Sequence, residues 1–169
     1  MNIQVQAEPT VPAALFKEAM ARVAGAVHIV TTDGPAGKAG FTATAVCSVT
    51  TDPPTLLVCV NETSSVGQII TANQVLAINT IGSEFNDLAV LMGGKTSLEA
   101  RFASAFWTRG THGAPLLDGA MVAFDCIADT SQVVGTHRVL FCRVIGVRLG
   151  DAAQDPSLYF NRSFRHLAT

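Results

Sequence analysis

Charge is scarce in this chain. Only 14% of its 169 residues are Asp, Glu, Lys or Arg, 49% are apolar, and the formal net charge is −2. The eleven basic residues are scattered, so the clustered cations that a phosphate backbone requires are missing and a nucleic-acid partner is excluded. No apolar run approaches the roughly 20 residues that span a bilayer as a helix. The opening MNIQVQAEPTVP has neither the basic nor the apolar region of a secretion signal. Cys47, Cys59, Cys126 and Cys142 show no CxxC spacing, and His28, His112, His137 and His166 form no HxH or HxxxH pair. That pattern excludes a disulfide framework and a protein metal site, and predicts buried free thiols in a reducing cytosol. GxGxxG, GxxxxGK[ST] and GxSxG are also absent, which disfavours a Rossmann oxidoreductase, a P-loop and an α/β-hydrolase.

Against these absences stands one dense segment, GFTATAVCSVTTDPPTLLVCVN, from Gly40 to Asn61. It reads as two strands joined by a turn that Pro53 and Pro54 close, since neither proline donates to a ladder. Alternate residues share one face of a strand, so Thr42, Thr44, Ser48 and Thr50 form a polar stripe. With backbone N–H groups exposed beside small residues, the stripe suits a flat, heteroatom-rich ligand ending in phosphate. It equally suits the water-facing side of an ordinary antiparallel strand.

The length predicts one domain, over 13–169, with residues 1–12 as a loose arm. Leu15, Phe16, Ala19, Met20 and Val23 fall on one helical stripe between Pro12 and Gly25. Further helices are predicted over Ser64–Ala72, capped by Ser64 or Thr63, over Ser83–Met92, stopped by Gly93-Gly94, and over Ser97–Ala103. Strands are predicted over Ala26–Thr32, Ala39–Thr50, Thr55–Val60, Val75–Ile81, Met121–Ala128 and Val133–Leu149, the last breaking near Gly146. Ala105–Pro115 reads as a loop holding the single tryptophan, Trp107, and His28 as a structural histidine. Many short strands with few βαβ units point to a closed antiparallel barrel with helices packed outside. So few charges on a domain of this size predict that another subunit covers part of the surface.

FTATAVCSVTTDPP, together with GGKT at Gly93–Thr96, ARF at Ala100–Phe102 and VGTH at Val134–His137, resembles the short-chain flavin reductases. These NAD(P)H:flavin oxidoreductases supply reduced flavin to a separate monooxygenase. The similarity runs from about Phe16 to His166. Through TTDGPAGKAGFTATAVCSVT and GGKTSLEARFA it is most similar to the flavin reductase of pyrimidine utilisation. The reductase components of 4-hydroxyphenylacetate and chlorophenol hydroxylases are near alternatives. The resemblance implies a mainly β, Greek-key antiparallel split β-barrel with peripheral helices, FMN-binding and usually a homodimer with flavin near the subunit interface. It implies FMN, with FAD the alternative, and NADH, with NADPH the alternative. The lack of a recognisable basic pocket for a 2′-phosphate leans to NADH.

By the same resemblance, Phe41, Thr42, Ala43 and Thr44 face the isoalloxazine edge, and Ser48, Val49 and Thr50 run toward the ribityl chain and phosphate. Asn61, Ser64 and Ser65 match phosphate contacts, at a helix start that also offers free N–H groups to an anion. Asn79 joins the cofactor set, Arg101 is expected to approach the phosphate, and His137, Tyr159 and Phe160 to flank the nicotinamide. The family commonly has Gly-Asp-His where Gly135-Thr136-His137 stands here, so no role passes to an acid at 136. No residue is expected to act as a catalytic acid or base, because the isoalloxazine itself accepts the hydride. A flavin-retaining split-barrel oxidase and a non-catalytic flavin-binding barrel are the rival expectations.

Overall fold

The computed structural model describes residues 10–167, so the expected arm over 1–12 lies outside the described residues except for Thr10–Pro12. In chain order the elements are α1 (Ala13–Ala21), β1 (Gly25–Ala26), β2 (His28–Gly34), β3 (Gly37–Ala43), β4 (Val46–Thr51) and β5 (Pro54–Asn61). There follow α2 (Ser65–Asn73), β6 (Val75–Thr80), a 3-10 turn (Ser83–Phe85), α3 (Asn86–Gly93) and α4 (Leu98–Ala103). The remainder is β7 (Trp107–Arg109), β8 (Pro115–Leu117), β9 (Val122–Val134), β10 (His137–Leu149), β11 (Leu158–Phe160) and β12 (Ser163–Arg165). Ser64 caps α2 by accepting the Gly67 N–H at 2.9 Å, and Ser97 caps α4 by accepting that of Ala100 at 3.3 Å.

Seven antiparallel strands form one sheet in the order β3-β2-β6-β9-β10-β5-β4. Its two edges, β3 and β4, are consecutive in the chain. The corner between them is Thr44-Ala45, where Val46 N–H donates to Thr44 O at 3.0 Å and Cys59 N–H to Ala45 O at 3.1 Å. This curls the sheet into a split barrel and corrects the single strand expected over Ala39–Thr50. The polar stripe breaks with it. Thr42 lies on the outer face of the barrel, whereas Ser48 stands opposite Leu56, which packs on the inner core.

Alternation sorts the apolar residues into two cores. Val30, Ala43, Val58, Leu76, Ile78 and Leu140 fill the barrel, and Ile70 of α2 joins them. Ile29, Ala77 and Ala123 face outward, where Leu88, Ala89 and Met92 of α3 and Leu116 and Leu117 of β8 cover them. The expected loop Ala105–Pro115 is instead a ribbon, β7 paired with β8, and the segment from 121 to 149 is one long hairpin turning at Gly135-Thr136. Gly146 marks a register shift in β10, not its end. Cys126 and Cys142 are buried as expected and their thiols titrate high, that of Cys142 near 12, because burial disfavours the thiolate. Cys47 is exposed on edge strand β4, which corrects its expected burial.

A candidate cofactor cleft and a polar sheet end

An open cavity of about 360 Å³ lies where four segments converge. Thr42, Ala43 and Thr44 at the end of β3 form one wall, and Ala89, Val90 and Gly93 of α3 a second. Val27 closes the back, and Tyr159 with Phe164 of the C-terminal hairpin stand opposite. The two rings meet edge to face, centroids 5.5 Å apart, an arrangement that stiffens the pair. Among the described residues, no charged side chain lines the cavity. β3 is a sheet edge with no strand on its outer side, although Gly37 O and Gly40 O there accept from Asn73 and Arg101. The Thr42 hydroxyl donates to Ala89 O at 2.5 Å, tying β3 to α3, while that of Thr44 has no intrachain partner among the described residues. An apolar slot with a backbone edge along one side fits a flat ring bearing several heteroatoms. Its volume, near the lower end of small-molecule sites, fits the ring and leaves a long phosphate-bearing tail to run outside.

Of the residues expected at the isoalloxazine edge, Thr42, Ala43 and Thr44 line this cavity, and so does Tyr159, expected beside the nicotinamide. The Phe41 side chain faces the other way, against the inner core. Val27, Ala89, Val90, Gly93 and Phe164 escaped the sequence reading. GGKT and the expected Tyr159 point at two of the segments, but no local pattern says that they meet. Beside the cavity, His28 is buried and shares a 3.0 Å hydrogen bond between its Nδ1 and the Thr80 hydroxyl. Burial lowers its pKa to about 4, so it is neutral and structural, as its alternation implied.

A second group of expected residues lies at the sheet end where β5 passes into α2. Asn61 closes β5 directly opposite His137, the first residue of β10. The Asn61 side-chain oxygen accepts from Thr63 N–H at 3.0 Å and from the Thr63 hydroxyl at 2.9 Å. The Ser64 hydroxyl donates to Asn61 O at 2.8 Å, and Ser65 begins α2 with its side chain exposed. Exposed His137 shares a 3.0 Å hydrogen bond between Nδ1 and the Thr136 hydroxyl, and its Nε2 has no intrachain partner among the described residues. Ser48, Val49 and Thr50 sit on exposed β4, where Thr50 Oγ1 accepts the Asp52 N–H at 3.1 Å to close the turn before Pro53. Phe160 is exposed on β11. Asn61, Ser64, Ser65 and His137 are not among the residues that line the cavity.

Two expected contacts are corrected. Arg101 is only 7% exposed, and its guanidinium donates to four backbone carbonyls: Thr96 at 2.9 Å, Gly40 at 3.4 Å, Met92 at 3.2 Å and Gly94 at 2.5 Å. It clamps β3 to the end of α3, and its donors are taken up by backbone carbonyls. Asn79 is fully buried, donating to Ile29 O at 2.9 Å and accepting from Leu117 N–H at 2.8 Å, so it joins β2 and β8 and faces no cofactor.

Comparison with known proteins agrees with this architecture. The model of the flavin reductase like domain matches residues 20–168. The FMN reductase (NADH) RutF of Stutzerimonas stutzeri strain A1501 is 53% identical over 154 residues, covering 91% of this chain and 88% of its own. The YcdH crystal structure from Haemophilus somnus 129PT superposes with a TM-score of 0.89 at 42% identity, covering 93% of this chain and all of its own. The NADH:FAD oxidoreductase SgcE6 of Streptomyces globisporus, solved with NAD and FAD fragments, gives a TM-score of 0.85 at 25% identity over 96% of this chain and 98% of its own.

Proposed function

The chain belongs to the flavin reductase like domain family, and from that premise we propose that it carries hydride from NADH to FMN and releases the reduced flavin to a separate monooxygenase. The observation that carries this reading is the open, uncharged cavity edged by Thr42–Thr44 and walled by Tyr159 and Phe164, in a chain about half identical to named NADH-dependent FMN reductases. FMN, when bound, supplies the hydride-accepting centre. The backbone of Ala43 and Thr44 and the Thr44 hydroxyl would meet the polar edge of the ring, and α3 would press one side of the slot. The uncovered side admits the nicotinamide, which the exposed Nε2 of His137 and the ring of Phe160 would help to orient. Rate then depends on placement of the two rings, since no proton donor or nucleophile is required of the chain. A cavity open on one side also suits a flavin that exchanges with solvent.

Joining the two halves of the site calls for a second copy. Leu15, Phe16 and Met20 of α1 and Val90 beside the cavity are exposed apolar residues, which supports a homodimer with the flavin tail crossing to the partner's polar sheet end. Retention in the cytoplasm accords with the free thiols and with helices too short and polar to cross a membrane among the described residues. The likeness to the pyrimidine-utilisation branch favours an oxygenase acting on a pyrimidine, with a phenolic substrate as the alternative. The test is NADH consumption with limiting and excess FMN, then FAD, then riboflavin. Rates that climb with free flavin support a diffusible carrier, and rates indifferent to added flavin indicate a flavin-retaining oxidase instead.

A further inference from the structure

One ion pair is unlike the others. Arg138 and Glu62 keep 21% and 35% of their side chains exposed, whereas every other ion pair among the described residues has at least one partner above 40%. Arg138 follows His137 on β10, so the two side chains leave opposite faces of the strand. The Arg138 guanidinium donates to the Glu62 carboxylate just past β5, and at 2.9 Å to the Ser131 hydroxyl on β9. On the backbone, Glu62 N–H donates to Thr136 O at 3.1 Å. The hairpin turns at Gly135, whose φ is +60°, and His137 is the first residue of β10 to pair, with Asn61 on β5 and Val134 on β9.

From this geometry we infer that Arg138, held by Glu62, is a positioning residue that fixes His137 against the start of α2. The inference rests on the assignment of His137 to the nicotinamide. A planar fork gripping acceptors on two neighbouring segments resists both twist and slide of the tip, which a single ammonium does not. With the tip locked, the imidazole and Asn61 keep one relative placement, and NADH meets a preformed surface.

The experiment is steady-state kinetics of Arg138→Met, Arg138→Lys and the charge-swapped pair Glu62→Arg/Arg138→Glu, each beside His137→Ala. Arg138→Met is expected to raise KM for NADH roughly two- to fourfold, short of the rise in His137→Ala, while kcat at saturating NADH stays within about twofold, the pattern of lost placement without lost chemistry. Arg138→Lys should fall between, and the swapped pair should recover most of the loss. Should Arg138→Met fail to fold, Glu62→Gln must raise the same KM. An unchanged KM for NADH in Arg138→Met or Glu62→Gln, beside a raised one in His137→Ala, overturns the inference and leaves the site reading standing. A KM rise confined to FMN and absent with riboflavin also overturns it, since that marks a phosphate contact. An unchanged KM in His137→Ala overturns the reading itself and the inference with it.

Discussion

Four segments distant in sequence wall the cavity: Val27, the end of β3, α3 and the C-terminal hairpin. At the sheet end, by contrast, Asn61, Thr63, Ser64 and Gly67 bond to one another two or three residues apart, with His137 brought up by one ladder. The cavity therefore inherits its shape from tertiary packing, and disturbing a residue behind it costs stability. The sheet end is built from local turns at the surface and accepts side-chain change with little loss of fold. Stability and function should thus be coupled in the first region and separable in the second.

The largest expected effect probes the cavity's scaffold. Arg101→Met would strand the carbonyls of Gly40, Met92, Gly94 and Thr96 that the guanidinium now satisfies. A buried polar group left unpaired costs about 1–3 kcal/mol, so a total near 4 kcal/mol is expected. At about 2–4 °C per kcal/mol for a chain of this size, Tm should drop by roughly 10 °C in a thermal scan. The ratio of KM for FMN to KM for riboflavin should hold, because the donors of Arg101 are taken up by backbone carbonyls. A changed ratio with an unchanged Tm would return Arg101 to the flavin phosphate.

His28 extends the coupling to pH. Its folded pKa of about 4 lies below the usual histidine value of about 6.5, so between those limits the unfolded chain binds more protons than the native one. Stability from this group is complete above pH 6.5 and is lost as pH falls toward 4, by about 3 kcal/mol at most. Denaturant midpoints measured between pH 7 and pH 4 should show that fall, and His28→Gln should flatten it. Filling the cavity comes next. Thr44→Trp projects from an exposed corner, so the fold should tolerate it while the indole occupies the slot. FMN-dependent NADH oxidation should fall about 100-fold, equivalent to about 2.7 kcal/mol, with Tm within a few degrees of wild type.

Where local chemistry decides, the sequence reading was close. Ser64 caps α2, Ser97 caps α4, Gly93-Gly94 ends α3, and the barrel of short strands follows from alternation. Sequence and structure part where a tertiary contact overrides a local pattern. Thr42 to Thr50 has the period of one strand, yet the closing of the barrel needs a corner at Thr44-Ala45. Arg101 sits in a helix of amphipathic look, and nothing nearby in sequence shows that four carbonyls surround it. Asn79 lies in an apolar run that could equally present an amide to a ligand, and only the meeting of β2 with β8 determines its partners. The cavity wall on α3 was unreadable for the same reason, since Ala89 and Gly93 are ordinary helix residues until β3 lies across them.

The smallest expected effect is at the sheet end, where the separation of stability from function is sharpest. His137 is exposed, opposite Asn61, and its Nδ1 is engaged by Thr136 while Nε2 has no intrachain partner among the described residues. Removing the imidazole leaves no buried group unpaired, so His137→Ala should shift Tm by less than about 2 °C, as surface substitutions usually do. KM for NADH should rise about fivefold or more, near 1 kcal/mol, the size of one lost hydrogen bond to a bound partner. Flavin affinity, read by fluorescence quenching, should stay at the wild-type value. Set beside Arg101→Met, the pair gives opposite signatures: heat lability with intact nicotinamide binding in one, and weakened nicotinamide binding with intact heat stability in the other. A His137→Ala protein that melted early would show that the hairpin tip carries fold as well as function, and the contrast between the two regions would dissolve.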